Sequence, residues 1–383
     1  MPGPARDLAQ ELRARRVVVR SGVVEDEHRG PGTQGGAVTA EFLERSSPVA
    51  AARALHEAGR AFDRETWRRG TELGWVSLLV DATIIAEQFG RLAAPGPFLV
   101  VNVVAAALAE AANAGIHAGL IQRLLTGEAI ATWACCAPER GWDPVAGAID
   151  AVADGDGYLL TGTHEQVEAA SDADEFLVLA RTAAGLTQFI VPSDAEGLIV
   201  SALTSLDLTH GFGRVTYDGV RVARGALVGS IGEAEPAVER QFEVAVVLQC
   251  AELAGVVEKV LEFTRQWMFD RFSFGRPLAS YQALKHRFAD MTLWSHAAQA
   301  ATAAAARAVQ ERRHDAAELV SIAKAYTGQR ATDIIQDCVQ LHGGLGVTWE
   351  HDIHVYLRRA TVGRVTWGTP SDHRRRVADL LNV

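Results

Sequence analysis

Arg271-Phe272-Ser273-Phe274-Gly275-Arg276-Pro277 and, just beyond it, Tyr281-Gln282-Ala283-Leu284-Lys285-His286 separate two long stretches of helical character. Before them, Glu239 to Asp270 runs about 32 residues without proline, which is about 48 Å of helix. After them, Leu278 to Arg312 and Asp315 to Leu341 are of comparable length. Three long helices with short connections predict an antiparallel bundle. The third closes on a second unusual segment, Gln340-Leu341-His342-Gly343-Gly344-Leu345-Gly346-Val347-Thr348, followed by Tyr356-Leu357-Arg358-Arg359-Ala360.

Working outward, the period changes to two between about Ala129 and Val228. Short apolar runs such as Tyr158-Leu159-Leu160, Phe176-Leu177-Val178-Leu179-Ala180 and Gln188-Phe189-Ile190-Val191 alternate with turn signals, among them Asp154-Gly155-Asp156-Gly157 and Asp218-Gly219. About seven strands with no helix between them predict an antiparallel barrel or sandwich. From about Phe42 to Gly127, Ala, Leu, Glu and Arg recur at helical spacing, broken at Gly74, Pro95-Gly96-Pro97 and Gly127. Glu25 to Gly36, rich in charge and glycine, reads as an arm or mobile loop. The expected fold is α+β, mostly α, in four parts: an arm over 1–38, a helical domain over 39–128, a β-domain over 129–230 and a helical bundle over 231–383.

Composition narrows the function. The 383 residues are 48% hydrophobic and 22% charged, a globular balance, and the net charge of −10 argues against a nucleic-acid partner. Phe98 to Ala109 is the best apolar run, but it is short and ends in Glu110, so no membrane association is expected. The charged N-terminus does not read as a secretory signal. Cys135, Cys136, Cys250 and Cys338 lack metal-ligand spacing, so no metal is expected. A reduced, cytoplasmic setting fits these features.

The two C-terminal segments together resemble the acyl-CoA dehydrogenase family, as does the order of helices, β-domain and bundle. The resemblance spans essentially the whole chain. It implies FAD as cofactor, an acyl-CoA substrate, an electron-transferring flavoprotein as acceptor, and α,β-dehydrogenation by α-proton abstraction with β-hydride transfer to the flavin. In the family FAD lies extended across a subunit interface, so a homo-oligomer or a heteromer with a homologous subunit is implied. By matched position, Gln340, Gly343 and Gly344 would approach the ADP part of a neighbour's FAD. Arg271, Ser273, Phe274 and Gln282 would meet its pyrophosphate and adenosine region. Thr369 and Ser371 match flavin contacts near the C-terminus.

The departures bear most on function. Trp367 stands where the family's usual catalytic glutamate would be, and indole cannot accept a proton. The alternative base position on the first long helix falls on Ala245. Glu243, two residues earlier, is the nearest carboxylate, and Glu252 shares the face of Ala245; either is a candidate displaced base. Where the family's loop embraces the flavin, this chain has Cys136-Ala137-Pro138-Glu139-Arg140-Gly141-Trp142-Asp143, and the Lys-x-Trp-Ile strand is replaced by Thr163-His164-Glu165-Gln166-Val167. The first expectation is therefore an acyl-CoA dehydrogenase with Glu243 as base. The alternative is a non-catalytic or half-site subunit of a heteromeric acyl-CoA dehydrogenase, for example one acting on steroid side-chain CoA thioesters.

Overall fold

The computed structural model describes residues 31–77, 79–139 and 141–382. Most of the expected arm, residues 1–30, lies outside the described residues. Its last part is a correction: Pro31–Ser46 is helix α1, not loop. Proline fits a first helical turn, where its missing N–H costs nothing. Gly36 supplies close packing, since a Cβ there would lie 2.8 Å from Ile84. Five more helices complete the N-terminal part: α2 (Val49–Glu57), α3 (Arg64–Thr71), α4 (Leu79–Arg91), α5 (Phe98–Glu110) and α6 (Ala118–Leu125). Trp67, Trp75, Phe89 and Phe98 form its aromatic core through a chain of ring contacts.

The middle part is one sheet of β1 (Ala131–Ala134), β2 (Ile149–Asp154), β3 (Gly157–Glu168), β4 (Glu175–Thr182), β5 (Gly185–Pro192), β6 (Leu198–Leu203), β7 (Phe212–Ala223) and β8 (Leu227–Val228). Its order is β6-β7-β3-β2-β4-β5-β8, with β1 also on β4. The sheet is mixed rather than purely antiparallel, because β1 and β2 both pair in parallel with β4. β4 reads as a nearly continuous apolar run and is buried on both faces, the pattern that parallel pairing demands. The Asp154–Gly157 signal makes the expected hairpin, with Asp154 opposite Gly157. Asp218-Gly219 does not turn the chain. It forms a bulge inside β7, where the pairing jumps from Leu160–Val220 to Thr161–Asp218 and Gly219 takes φ +68°.

The C-terminal part is α7 (Glu235–Asp270), α8 (Gln282–Gln310), α9 (Ala316–His342), α10 (Ile353–Val365) and α11 (Pro370–Leu381). α7 is buried all round between Gln241 and Val257 because it packs on both the N-terminal helices and the bundle. Its crossing with α4 depends on two glycines: a Cβ on Gly90 would lie 1.9 Å from the Glu252 carbonyl oxygen, and one on Gly255 would lie 1.9 Å from that of Glu87. Between α7 and α8, Phe272–Ser273 and Arg276–Pro277 pair as a two-residue hairpin.

Candidate functional site

The chain reverses between α10 and α11 in four residues. Trp367 and Gly368 both sit at positive φ, +60° and +99°. Thr369 then opens α11 with a capping box, accepting from the Asp372 N–H while Asp372 accepts from the Thr369 N–H. A tryptophan in the left-handed region costs about 1–3 kcal/mol, so the surroundings must hold it there. The turn aims the Trp367 indole at β1, where it stacks on Trp133 at 5.3 Å between centroids and 19° between planes. Trp142 closes the third side at 5.1 Å. Trp367 is 3% exposed and Trp133 is 2% exposed.

Two buried groups hold this turn. Lys324, fully buried on α9, donates from Nζ to the carbonyls of Gly363 (2.6 Å) and Thr366 (2.7 Å), the last turn of α10. Burial pulls its pKa down to about 8. His373 Nε2 bonds the Trp367 carbonyl at 2.8 Å, and burial pushes its pKa down to about 4, so the ring is neutral and donates.

The candidate bases lie elsewhere. Glu243 on α7 is buried beside Glu239, Arg240 and Arg376, and burial followed by the Glu239 charge raises its pKa to about 7. Arg376 pairs with Glu239 rather than Glu243. Two adjoining cavities, of about 290 and 470 Å³, lie between α5 and α7 and share a wall of Glu110, Arg240, Val244 and Arg312. Glu243 lines neither. Glu252 is committed to a buried ion pair, accepting from Arg359 Nε at 2.8 Å. Arg359 also donates to the Ala94 carbonyl and to Thr209 Oγ1, both at 2.9 Å, so it joins all three parts of the chain. In the same cluster His210 Nδ1 meets Asp207 at 2.8 Å, and despite burial the charges of Glu252 and Asp207 raise His210 to about 9. Burial lifts nearby Glu168 to about 7.

The remaining predicted residues gather at the other end of the bundle. Arg271 ends α7 with its guanidinium over Trp267 (5.8 Å), Trp267 stacks on His342 (5.3 Å), and Trp267 Nε1 donates to the Leu341 carbonyl (3.1 Å). These contacts bring the two sequence segments together. Arg271, Gln282, Gln340, Gly343 and Gly344 are all exposed, and a Cβ on either glycine would meet nothing within 4 Å. Ser273 is half-buried, its carbonyl taken by the Tyr281 hydroxyl at 2.7 Å. Phe274, at the hairpin tip with φ +48°, is 97% exposed. Thr369 and Ser371 stand apart from this group, beside Trp367, and the Thr369 hydroxyl is spent on its cap.

Residues 235–381 match the family model for the acyl-CoA dehydrogenase C-terminal domain. The chain is 29% identical over 353 residues to acyl-CoA dehydrogenase FadE27 of Mycobacterium tuberculosis, covering 86% of this chain and 91% of that protein. It is 27% identical to acyl-CoA dehydrogenase IpdE2 of the same organism, covering 88% and 93%. Its C-terminal part is thus that of an acyl-CoA dehydrogenase, and along most of its length the chain is similar to acyl-CoA dehydrogenases. Among solved structures, the chain superposes with a TM-score of 0.84 and 25% identity on one chain of the ChsE4–ChsE5 complex of M. tuberculosis, covering 94% of this chain and 99% of the other. No helix among the described residues is long and apolar enough to cross a membrane.

Sequence reasoning singled out Trp367 and placed Trp142 in the altered loop, but missed Trp133 and Lys324. A signal for Lys324 existed: it is a lone lysine on the face of α9 that carries Val320, Ser321, Thr327, Gly328 and Ala331, all buried. Arg359 was read only as part of a motif.

Proposed function

We propose that this chain is the non-catalytic subunit of a heteromeric acyl-CoA dehydrogenase, completing the FAD site of a homologous partner. The observation that carries this reading is the Trp133–Trp367 stack. By the family resemblance, the isoalloxazine ring lies between the β-domain loop and the turn that bears the usual glutamate. A ring sandwiched there needs about 7 Å between its neighbours, two contacts of about 3.5 Å. Here the two sides touch through stacked indoles, so the residues present do not fit an isoalloxazine in this chain's own slot.

The opposite end of the bundle does fit the remainder of a neighbour's FAD. Gly343 and Gly344 leave backbone open to close approach, and Arg271 offers a guanidinium fork suited to a pyrophosphate. Gln282 and Gln340 add exposed amides beside them. An exposed Phe274 in a strained conformation, with Phe272, Val347 and Trp349 also exposed, suits a surface covered by another subunit. Likeness to the ChsE4–ChsE5 complex supports a heteromer. The substrate of such an assembly would be an acyl-CoA thioester and its acceptor an electron-transferring flavoprotein.

In this reading Glu243 is a structural carboxylate. A second reading keeps it as base, favoured by its pKa of about 7, near the ideal for proton transfer at neutral pH. Glu243→Gln in the assembled enzyme separates them. Unchanged turnover, with activity abolished by neutralising the partner's own base, supports the first. A loss of about 10²–10⁴-fold with flavin retained supports the second.

A further inference from the structure

The Trp367 turn is held at three carbonyls by two buried side chains. Lys324 crosses from α9 to gather the Gly363 and Thr366 carbonyls, which the end of α10 leaves without helical partners. Its positive charge also suits the negative end of α10. His373, from the first turns of α11, takes the carbonyl of Trp367 itself. The His373 ring in turn stacks on Phe242 of α7, 6.0 Å away at 7°, which ties the turn to the central helix. Gly368 has no room for a side chain, because a Cβ there would lie 2.9 Å from His373 Nε2. The backbone is therefore pinned on both sides of a residue whose positive φ it would otherwise leave.

We propose that Lys324 is a positioning residue, a latch that keeps the Trp367 indole seated against Trp133 and so keeps this chain's own slot closed to a planar aromatic ring, with His373 as the second catch. The inference rests on the half-site reading for its meaning, but its geometry stands apart from that reading. Lys324 lines neither of the two cavities beside α7; it acts through the turn.

The test reads the stack directly. Two indoles in stacked contact give an exciton signal in circular dichroism that isolated indoles lack. Wild-type chain, Lys324→Met, His373→Ala and Arg359→Met, the last as a destabilised comparator whose partners Glu252, Ala94 and Thr209 lie outside the turn, are each measured where they are folded, all in a Trp67→Phe background that removes the separate Trp67–Trp75 pair. The latch predicts loss of the exciton signal and a red shift of tryptophan emission in Lys324→Met, a partial loss in His373→Ala, and the full signal in Arg359→Met. FAD titrated into the isolated Lys324→Met chain should then bind saturably where wild type does not. An unchanged exciton signal in folded Lys324→Met overturns the latch. If Lys324→Met fails to fold, His373→Ala decides in its place: a weakened signal supports the latch and a full signal overturns it. Flavin bound by the wild-type chain alone would instead overturn the half-site reading, and the exciton result would still decide the latch.

Discussion

The indole of Trp367 lies 5.3 Å from that of Trp133, nearly parallel to it, across the junction of the β-domain and the C-terminal helices. That one contact joins an end of β1 to the turn before α11 and fills the space between them. Trp367→Ala should therefore cost about 3–5 kcal/mol of stability, the range for truncating a large buried aromatic. Urea unfolding of the isolated chain checks this. In the assembled enzyme, turnover per flavin should be retained.

Arg359 and Glu252 form a buried pair at the meeting of the three parts of the chain. Arg359→Met leaves the Glu252 carboxylate buried beside His210 and Asp207 with its main cation gone. The expected loss is about 3–5 kcal/mol, seen as a lowered denaturant midpoint. Lys at the same position should rescue little, since it cannot supply the Nε and Nη1 donors that reach Glu252, Ala94 and Thr209 together.

Two side chains near the turn should bend the acid limb of stability in opposite directions. His373 is held neutral with a pKa near 4, so below 6.5 the unfolded chain binds more protons and stability falls with pH. Glu243, raised to about 7, takes up its proton first in the folded state, so its contribution grows as pH falls from 7 toward 4.5. Between pH 6.5 and 4.5, His373→Asn should lose Tm less steeply than wild type, and Glu243→Gln more steeply. Scanning calorimetry across that range gives both slopes.

Phe274 stands 97% exposed with φ +48° at a two-residue hairpin tip. Phe274→Gly relieves the backbone strain and removes the exposed ring. The isolated chain should be no less stable, while association with the partner subunit weakens by tenfold or more (about 1.4 kcal/mol or more). Sedimentation analysis of the two subunits together measures the second effect.

Much of the architecture was legible in the sequence because its signals were local. Proline-free helical runs and Asp-Gly turn pairs marked the order of helices, sheet and bundle. The parallel pairing of β1 and β2 with β4 was not legible, since strand direction is fixed by long-range contact and not by period. Gly219 gave the same local signal as a hairpin, and only the register of β3 against β7 makes it a bulge. At the site, Trp367 stood out by its matched position, but its stacking partner Trp133 lies 234 positions earlier in the chain and has no motif of its own. Lys324 was marked only as a lone lysine on an apolar helix face; what it holds was not legible, because its partners are backbone carbonyls, which carry no sequence signature.

The half-site reading stands or falls on the flavin content of this chain alone and in complex with its homologous partner, read from the visible absorbance spectrum of each against protein concentration. The closed Trp133–Trp367 slot predicts no stoichiometric flavin on the isolated chain. In the complex it predicts one FAD for each pair of unlike subunits, bleached by a cognate acyl-CoA under anaerobic conditions. One FAD per copy of this chain on its own, bleached in the same way, would contradict it.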